Sequence, residues 1–333
     1  MSESDLPRIA VLTCGGTISS SSVGGVAMPR MGAEALVQQV PQLAECAIIQ
    51  ARTVMTKPSP DVTLADVMQL FDALVEEAAT CDGLVVTHGT DTLEEVVFAL
   101  DLMWKSEVPV VVTGAMRVSD AVGADGGANL LAAVRAAAAA TARGAGVVVV
   151  FNDQIHSARH VRKSHTSSVA TFVSPTLGPI GYFAEGEPRL PFRPERGVGL
   201  DRPTFREAPR VPLLTMTIGD DETALDALAA ADLDGLVLAG FGGGHLPERV
   251  ARSRGLEQLL ERIPVVLTSR AGAGEPLTRT YGGFDGSETT LLGRGLVTSG
   301  RLDGPKSKVL LSLLLASGCG RDAIRAEFAD LGK

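Results

Sequence analysis

Five runs of apolar, mostly β-branched residues recur through the first half of the chain, each separated from the next by a helical pattern. No other feature limits the fold as much. The runs are residues 9–12, 47–54, 84–87, 108–113 and 147–151. Most are apolar without alternation, as strands buried on both faces of a sheet should be. Residues 33–40, 64–78, 93–104 and 129–142 read as helices, the last so rich in Ala that propensity alone favours it. Strands alternating with helices predict βαβ units and a parallel sheet. The expected fold class is therefore α/β, with a flavodoxin-like parallel sheet whose strands run in the order 2-1-3-4-5.

At 333 residues the chain is long enough for two cores. Composition shifts after Tyr182. Pro188, Pro191, Pro194, Pro203, Pro209 and Pro212 lie among charges, and residues 185–212 read as an extended linker. Beyond it come strand candidates at 213–218, 235–239 and 264–268, with helices at 224–231, 248–262, 306–317 and 321–330. The expected division is an N-terminal α/β catalytic domain over 1–190, a linker over 191–212 and a smaller α/β C-terminal domain over 213–333.

A net charge of -9 argues against binding nucleic acid or a membrane surface. The longest apolar blocks, such as residues 309–316, fall far short of the roughly 20 needed to cross a bilayer. Residues 1–7 lack the basic start and apolar centre of a signal peptide, so the expected location is the cytoplasm. Cys14, Cys46, Cys81 and Cys319 have no metal-ligand spacing. In a reducing compartment they are expected to stay free. His156 and His160 are four apart in a loop-like stretch without a third ligand, so no metal is expected.

Three strands end in polar turns that contain Gly: Thr13-Cys14-Gly15-Gly16-Thr17, Thr87-His88-Gly89-Thr90-Asp91 and Thr113-Gly114-Ala115-Met116-Arg117. Ligands of open parallel sheets bind beyond the carboxyl ends of the strands, at the switch in strand order. With the order 2-1-3-4-5, that crevice lies between the first and third strands. Cys14, Thr90 and Asp91 should then face one cleft, with two nucleophile-capable groups and a carboxylate. Thr92-Leu93-Glu94-Glu95 fits a capping box, with Thr92 as the N-cap and Glu95 reaching back. Taken singly, each motif is also an ordinary turn or helix cap.

Together these blocks resemble the bacterial type I/II L-asparaginase family. That family carries a Thr-Gly-Gly-Thr-Ile motif near its start and His-Gly-Thr-Asp-Thr-x-Glu-Glu after its third strand. The second motif is complete here, from His88 through Glu95. Gly114-Ala115-Met116-Arg117, Ala124-Asp125-Gly126, Lys163, Gly178-Pro179-Ile180-Gly181-Tyr182, Ser269-Arg270 and Gly295-Leu296-Val297 also match, so the likeness spans nearly the whole chain.

The resemblance implies hydrolysis of L-asparagine to L-aspartate and ammonia through a covalent acyl-enzyme, without cofactor. It also implies a homotetramer, a dimer of intimate dimers with sites built between paired subunits. Thr90 would work with Lys163 and Asp91. Ser59 would hold the substrate carboxylate, Asp91 its ammonium. Glu288 would reach in from a paired subunit, and His245 stands where the family's Gly-rich turn often has Asn.

The first motif departs from the pattern: Cys14 takes the place of the nucleophilic Thr, and Thr13 should point to the opposite face of its strand. Cys14 acting as nucleophile, Thr90 taking over, and a catalytically weak ligand-binding homologue are the alternatives. An amidase for glutamine, D-asparagine or another small amide is a further one. Pro60 replaces a common Gln. The lid-like segment 19–25 has no Tyr, nor does the rest of the stretch to Met31; the only tyrosines are Tyr182 and Tyr281.

Overall fold

The computed structural model describes residues 6–23, 26–29, 31–193 and 199–332. The chain divides into two compact units, residues 1–200 and 201–333.

In the first unit the strands are β1 (Arg8–Thr13), β2 (Ser20–Val23), β3 (Val26–Pro29), β4 (Ile48–Thr53), β5 (Gly83–Thr87), β6 (Val110–Thr113), β7 (Val147–Phe151), β8 (Gln154–Ser157), β9 (Arg162–Lys163), β10 (Phe172–Val173), β11 (Gly181–Ala184) and β12 (Glu187–Arg189). Its helices are α1 (Ala33–Gln38), α2 (Leu43–Cys46), α3 (Leu64–Glu77), α4 (Leu93–Met103) and α5 (Gly126–Ala138).

One eight-stranded sheet runs β12-β11-β8-β7-β6-β5-β1-β4. Within it β4, β1, β5, β6 and β7 are parallel, in the order expected from the sequence. The switch in order therefore falls between β1 and β5. Val85, Val111 and Val148 pack with Ala133 and Ala136 of α5 in one buried cluster. The small Ala side chains let α5 come close. A Cβ on Gly83 would stand 2.4 Å from the Ala137 carbonyl oxygen.

Three antiparallel strands extend this sheet, which the sequence reading missed. The turn from β7 to β8 is Asn152-Asp153, both at positive φ (49° and 58°), the two-residue hairpin geometry that favours Asn and Asp. Glu185-Gly186 makes the second such turn, at 52° and 79°. It opens into β12, so the first residues of the segment read as linker form a strand. Pro188 is tolerated there because β12 is the sheet's edge.

Thr53, Thr13, Thr87 and Thr113 stand in register across β4, β1, β5 and β6. This polar row closes the carboxyl end of the sheet. Thr113 donates to the Val150 carbonyl at 2.7 Å, and the Thr13 and Thr53 hydroxyls lie 3.4 Å apart. The site turns begin at the next residue of each strand.

Two further expectations are corrected. Thr92 does precede α4, but its hydroxyl donates to the Ser59 carbonyl at 2.8 Å rather than capping the helix. A capping box forms instead at α3, between Thr63 and Asp66. The segment 19–25, read as a flexible lid-like loop, contains a strand, β2, which pairs antiparallel with β3. Gly24, Gly25 and Arg30 lie outside the described residues. Ser119 donates to the Ser20 carbonyl through both its N–H (3.2 Å) and its hydroxyl (3.0 Å).

The second unit has four parallel strands in sequence order, β13 (Leu213–Thr215), β14 (Leu236–Gly240), β15 (Val265–Ser269) and β16 (Val297–Thr298). Its helices are α6 (Thr223–Ala229), α7 (Glu248–Ala251), α8 (Arg254–Arg262), α9 (Glu288–Gly293), α10 (Gly304–Ala316) and α11 (Arg321–Leu331). The single helix expected over 248–262 breaks before Ser253, whose hydroxyl accepts the Leu256 N–H at 3.1 Å and caps α8. Among the described residues, no helix is long and apolar enough to cross a membrane.

Candidate active site

The turns after β1 and β5 touch through their backbones. Gly16 has φ 90°, and a Cβ there would lie 2.4 Å from the Gly89 Cα. A Cβ on Gly89 would in turn lie 2.7 Å from the Ser59 hydroxyl oxygen. Only glycine permits both approaches. Ser59 is buried in a single 3-10 turn, Ser59–Asp61. Its hydroxyl accepts the Asp91 N–H at 3.3 Å.

Thr90 is 6% exposed. Lys163 reaches it from β9, which is held to β10 by the pairing of Lys163 with Phe172. The Lys163 Nζ donates to the Thr90 hydroxyl oxygen at 2.9 Å and to Asp91 Oδ1 at 2.6 Å. The Asp91 side chain is 60% exposed, so its carboxylate meets both the lysine and solvent. A hydroxyl, an amine and a carboxylate in direct contact are chemically able to act as a nucleophile, a proton carrier and a holder of positive charge.

The third turn is shaped by residues to which the sequence reading gave no role. The Asp125 carboxylate accepts the N–H groups of Met116 and Arg117 at 2.9 Å each. Asn129 donates to the Gly114 carbonyl at 3.0 Å. A Cβ on Gly114 would sit 3.4 Å from the Thr90 methyl, so this turn walls one side of Thr90. The signal was present in the sequence as Asp125 and Asn129 at i and i+4, flanking the start of α5.

Cys14 belongs to the same group of turns; its N–H donates to the Thr87 carbonyl at 2.9 Å. Its side chain is buried. Burial, with a smaller push from the Asp66 charge, drives the thiol from 9.0 up to about 12. Asp66 is itself ionised. Burial raises its pKa, but bonds from Lys57 (2.5 Å) and Thr63 outweigh that and hold it below the usual value. At pH 8 the shift takes the Cys14 thiolate from about a tenth of molecules to about one in ten thousand. Iodoacetamide at pH 8 should therefore leave Cys14 unlabelled in native protein while labelling the unfolded chain fully. Rapid native labelling, read by peptide mass, would contradict the buried thiol.

His245 and Glu288 lie in the second unit, 43 residues apart, and bond to each other at 3.0 Å. Burial tends to raise the Glu288 pKa. The Tyr281 N–H, its own backbone, His245 and the Thr280 N–H outweigh that and hold it below the ordinary value. The His245 ring stands edge-on to Tyr281, with centroids 4.9 Å apart.

His156 is on β8, with Nδ1 3.0 Å from the Ser174 hydroxyl, and burial pulls it down to about 4. Among the described residues, no group of three or more His, Cys, Asp or Glu is placed to hold a metal ion.

A family profile described as "Asparaginase, N-terminal" matches residues 8–196, and one described as "Glutaminase/Asparaginase C-terminal domain" matches residues 210–328. A Deinococcus radiodurans protein named probable L-asparaginase is 38% identical, over 97% of this chain and 97% of that protein. L-asparaginase 2 of Escherichia coli is 35% identical, over 93% of this chain and 89% of that protein. The crystal structure of a probable cytoplasmic L-asparaginase from Campylobacter jejuni superposes with a TM-score of 0.86 at 31% identity, over 97% of this chain and 99% of that one.

Proposed function

The chain belongs to the asparaginase family, and from that premise we propose that it hydrolyses L-asparagine to L-aspartate and ammonia, with Thr90 as the nucleophile. The observation that carries this reading is the contact of one lysine with both members of the Thr90-Asp91 pair. Lys163 takes the Thr90 proton as the oxygen attacks the amide carbon. The tetrahedral intermediate collapses to a Thr90 ester. The C–N bond breaks, and Lys163 returns its proton to the departing ammonia. Water then attacks the ester, giving its proton to Lys163, which passes it back to Thr90. Asp91 holds the substrate ammonium by charge-assisted hydrogen bonds, and Ser59 binds the substrate carboxylate.

Burial holds the Cys14 thiol neutral, which favours a threonine nucleophile over a cysteine one. The working form is a homotetramer whose sites are completed between subunits by Glu288 and His245. Their mutual hydrogen bond supports treating them as one binding element. The proposed location is the cytoplasm, as the name of the Campylobacter relative states for that protein.

Ammonia release from L-asparagine tests the assignment. Thr90→Ala should lose at least about 100-fold in rate, while Cys14→Ala keeps activity within about tenfold. The reverse ranking would make Cys14 the nucleophile. If wild type releases no ammonia from asparagine, glutamine or D-asparagine, yet asparagine raises its melting temperature, the protein binds without turnover.

A further inference from the structure

We propose that Glu94 is a positioning residue, holding the main chain of Lys163 so that its amine reaches Thr90. The proposal rests on the catalytic reading of Lys163 above. Glu94 lies in the first turn of α4 and is 8% exposed. Its Oε2 accepts the backbone N–H of Lys163 in a short hydrogen bond. Thr90 and Asp91 hold the other end of the same residue, at Nζ. Spacings of 0, +1 and +4 along one segment thus grip a lysine at both head and root.

That grip matters because the lysine is long and its strand is short. β9 is two residues long and, among the described residues, pairs with β10 in a two-stranded sheet. The side chain has four rotatable bonds, so where its amine ends depends on where its Cα starts. The Lys163 N–H donates to a side-chain oxygen that is itself nearly buried, and a displacement of about 1 Å at a catalytic group can cost about 100-fold.

The test compares Glu94→Ala with Glu94→Gln, whose amide oxygen can still accept the Lys163 N–H. Glu94→Ala should lower kcat for asparagine by roughly 30- to 100-fold with KM within about threefold. Glu94→Gln should stay within about fivefold of wild type. Added formate should restore part of the lost kcat in Glu94→Ala by filling the vacated carboxylate position. If Glu94→Ala does not fold, Glu94→Met, which keeps the volume, serves in its place.

Melting temperatures of all variants separate a helix-end effect from this one, since both neutral substitutions remove the same charge from the start of α4. The proposal is overturned if Glu94→Ala keeps kcat within about threefold, or if Glu94→Gln is as impaired as Glu94→Ala. If Lys163→Ala itself retains wild-type activity, the reading of Lys163 fails instead.

Discussion

Lys163→Met should lower ammonia release from L-asparagine by about 1,000-fold or more and leave the fold intact. The side-chain amine contacts Thr90 and Asp91 at 2.9 and 2.6 Å, the two groups to which the proposed mechanism gives the reaction. Without the amine, the Thr90 hydroxyl has no proton acceptor at attack, and the departing ammonia has no donor. Both halves of the reaction lose the same group. Lys163→Arg should be nearly as inactive, because a guanidinium does not give up its proton at working pH. Aspartate binding, measured by calorimetry, should stay within about tenfold, since Ser59 and Asp91 remain. A Lys163→Met rate within tenfold of wild type would remove the lysine from the mechanism.

Gly16→Ala should both destabilise the first unit and abolish turnover. The residue sits at φ 90° and ψ -177°, a region essentially closed to other residues. Holding an alanine there costs about 1–3 kcal/mol from the backbone alone. Its methyl would also fall 2.4 Å from the Gly89 Cα, against main chain that has no side-chain freedom to yield. The turns after β1 and β5 must separate, and Thr90 moves with its turn. Chemical denaturation should show a loss of several kcal/mol, and the folded remnant should release ammonia at less than about 1% of the wild-type rate. A variant with wild-type stability and rate would show that the two turns do not need this contact.

The parallel half of the sheet was legible because buried parallel strands are written as unbroken apolar runs. Residues 84–87 and 147–151 could be little else. The antiparallel strands were not legible by that rule. β8 carries Gln154 and His156, β12 carries Pro188, and each is too short to display a period. Their turns were readable, since Asn152-Asp153 and Glu185-Gly186 are hairpin dipeptides, but the prolines beyond them suggested a linker.

Within the site, Thr90 and Asp91 followed from strand order. Lys163 did not, because it arrives on a two-residue strand 73 positions from Thr90, and only the family likeness pointed to it. The capping box at Thr92 was a sound local reading overruled by a tertiary contact, since Ser59 offered the hydroxyl an acceptor from another segment. The burial that holds Cys14 neutral is equally non-local and leaves no mark in its own neighbours along the chain.

The most direct measurement is to mix the enzyme with L-asparagine, quench in acid within the first turnover, and map the protein by peptide mass. A substrate-derived acyl group ester-linked at Thr90, absent from Thr90→Ala and strongly reduced in Lys163→Met, is the predicted result. The same acyl mass found as a thioester at Cys14, or found on neither residue while ammonia is being released, would contradict the account.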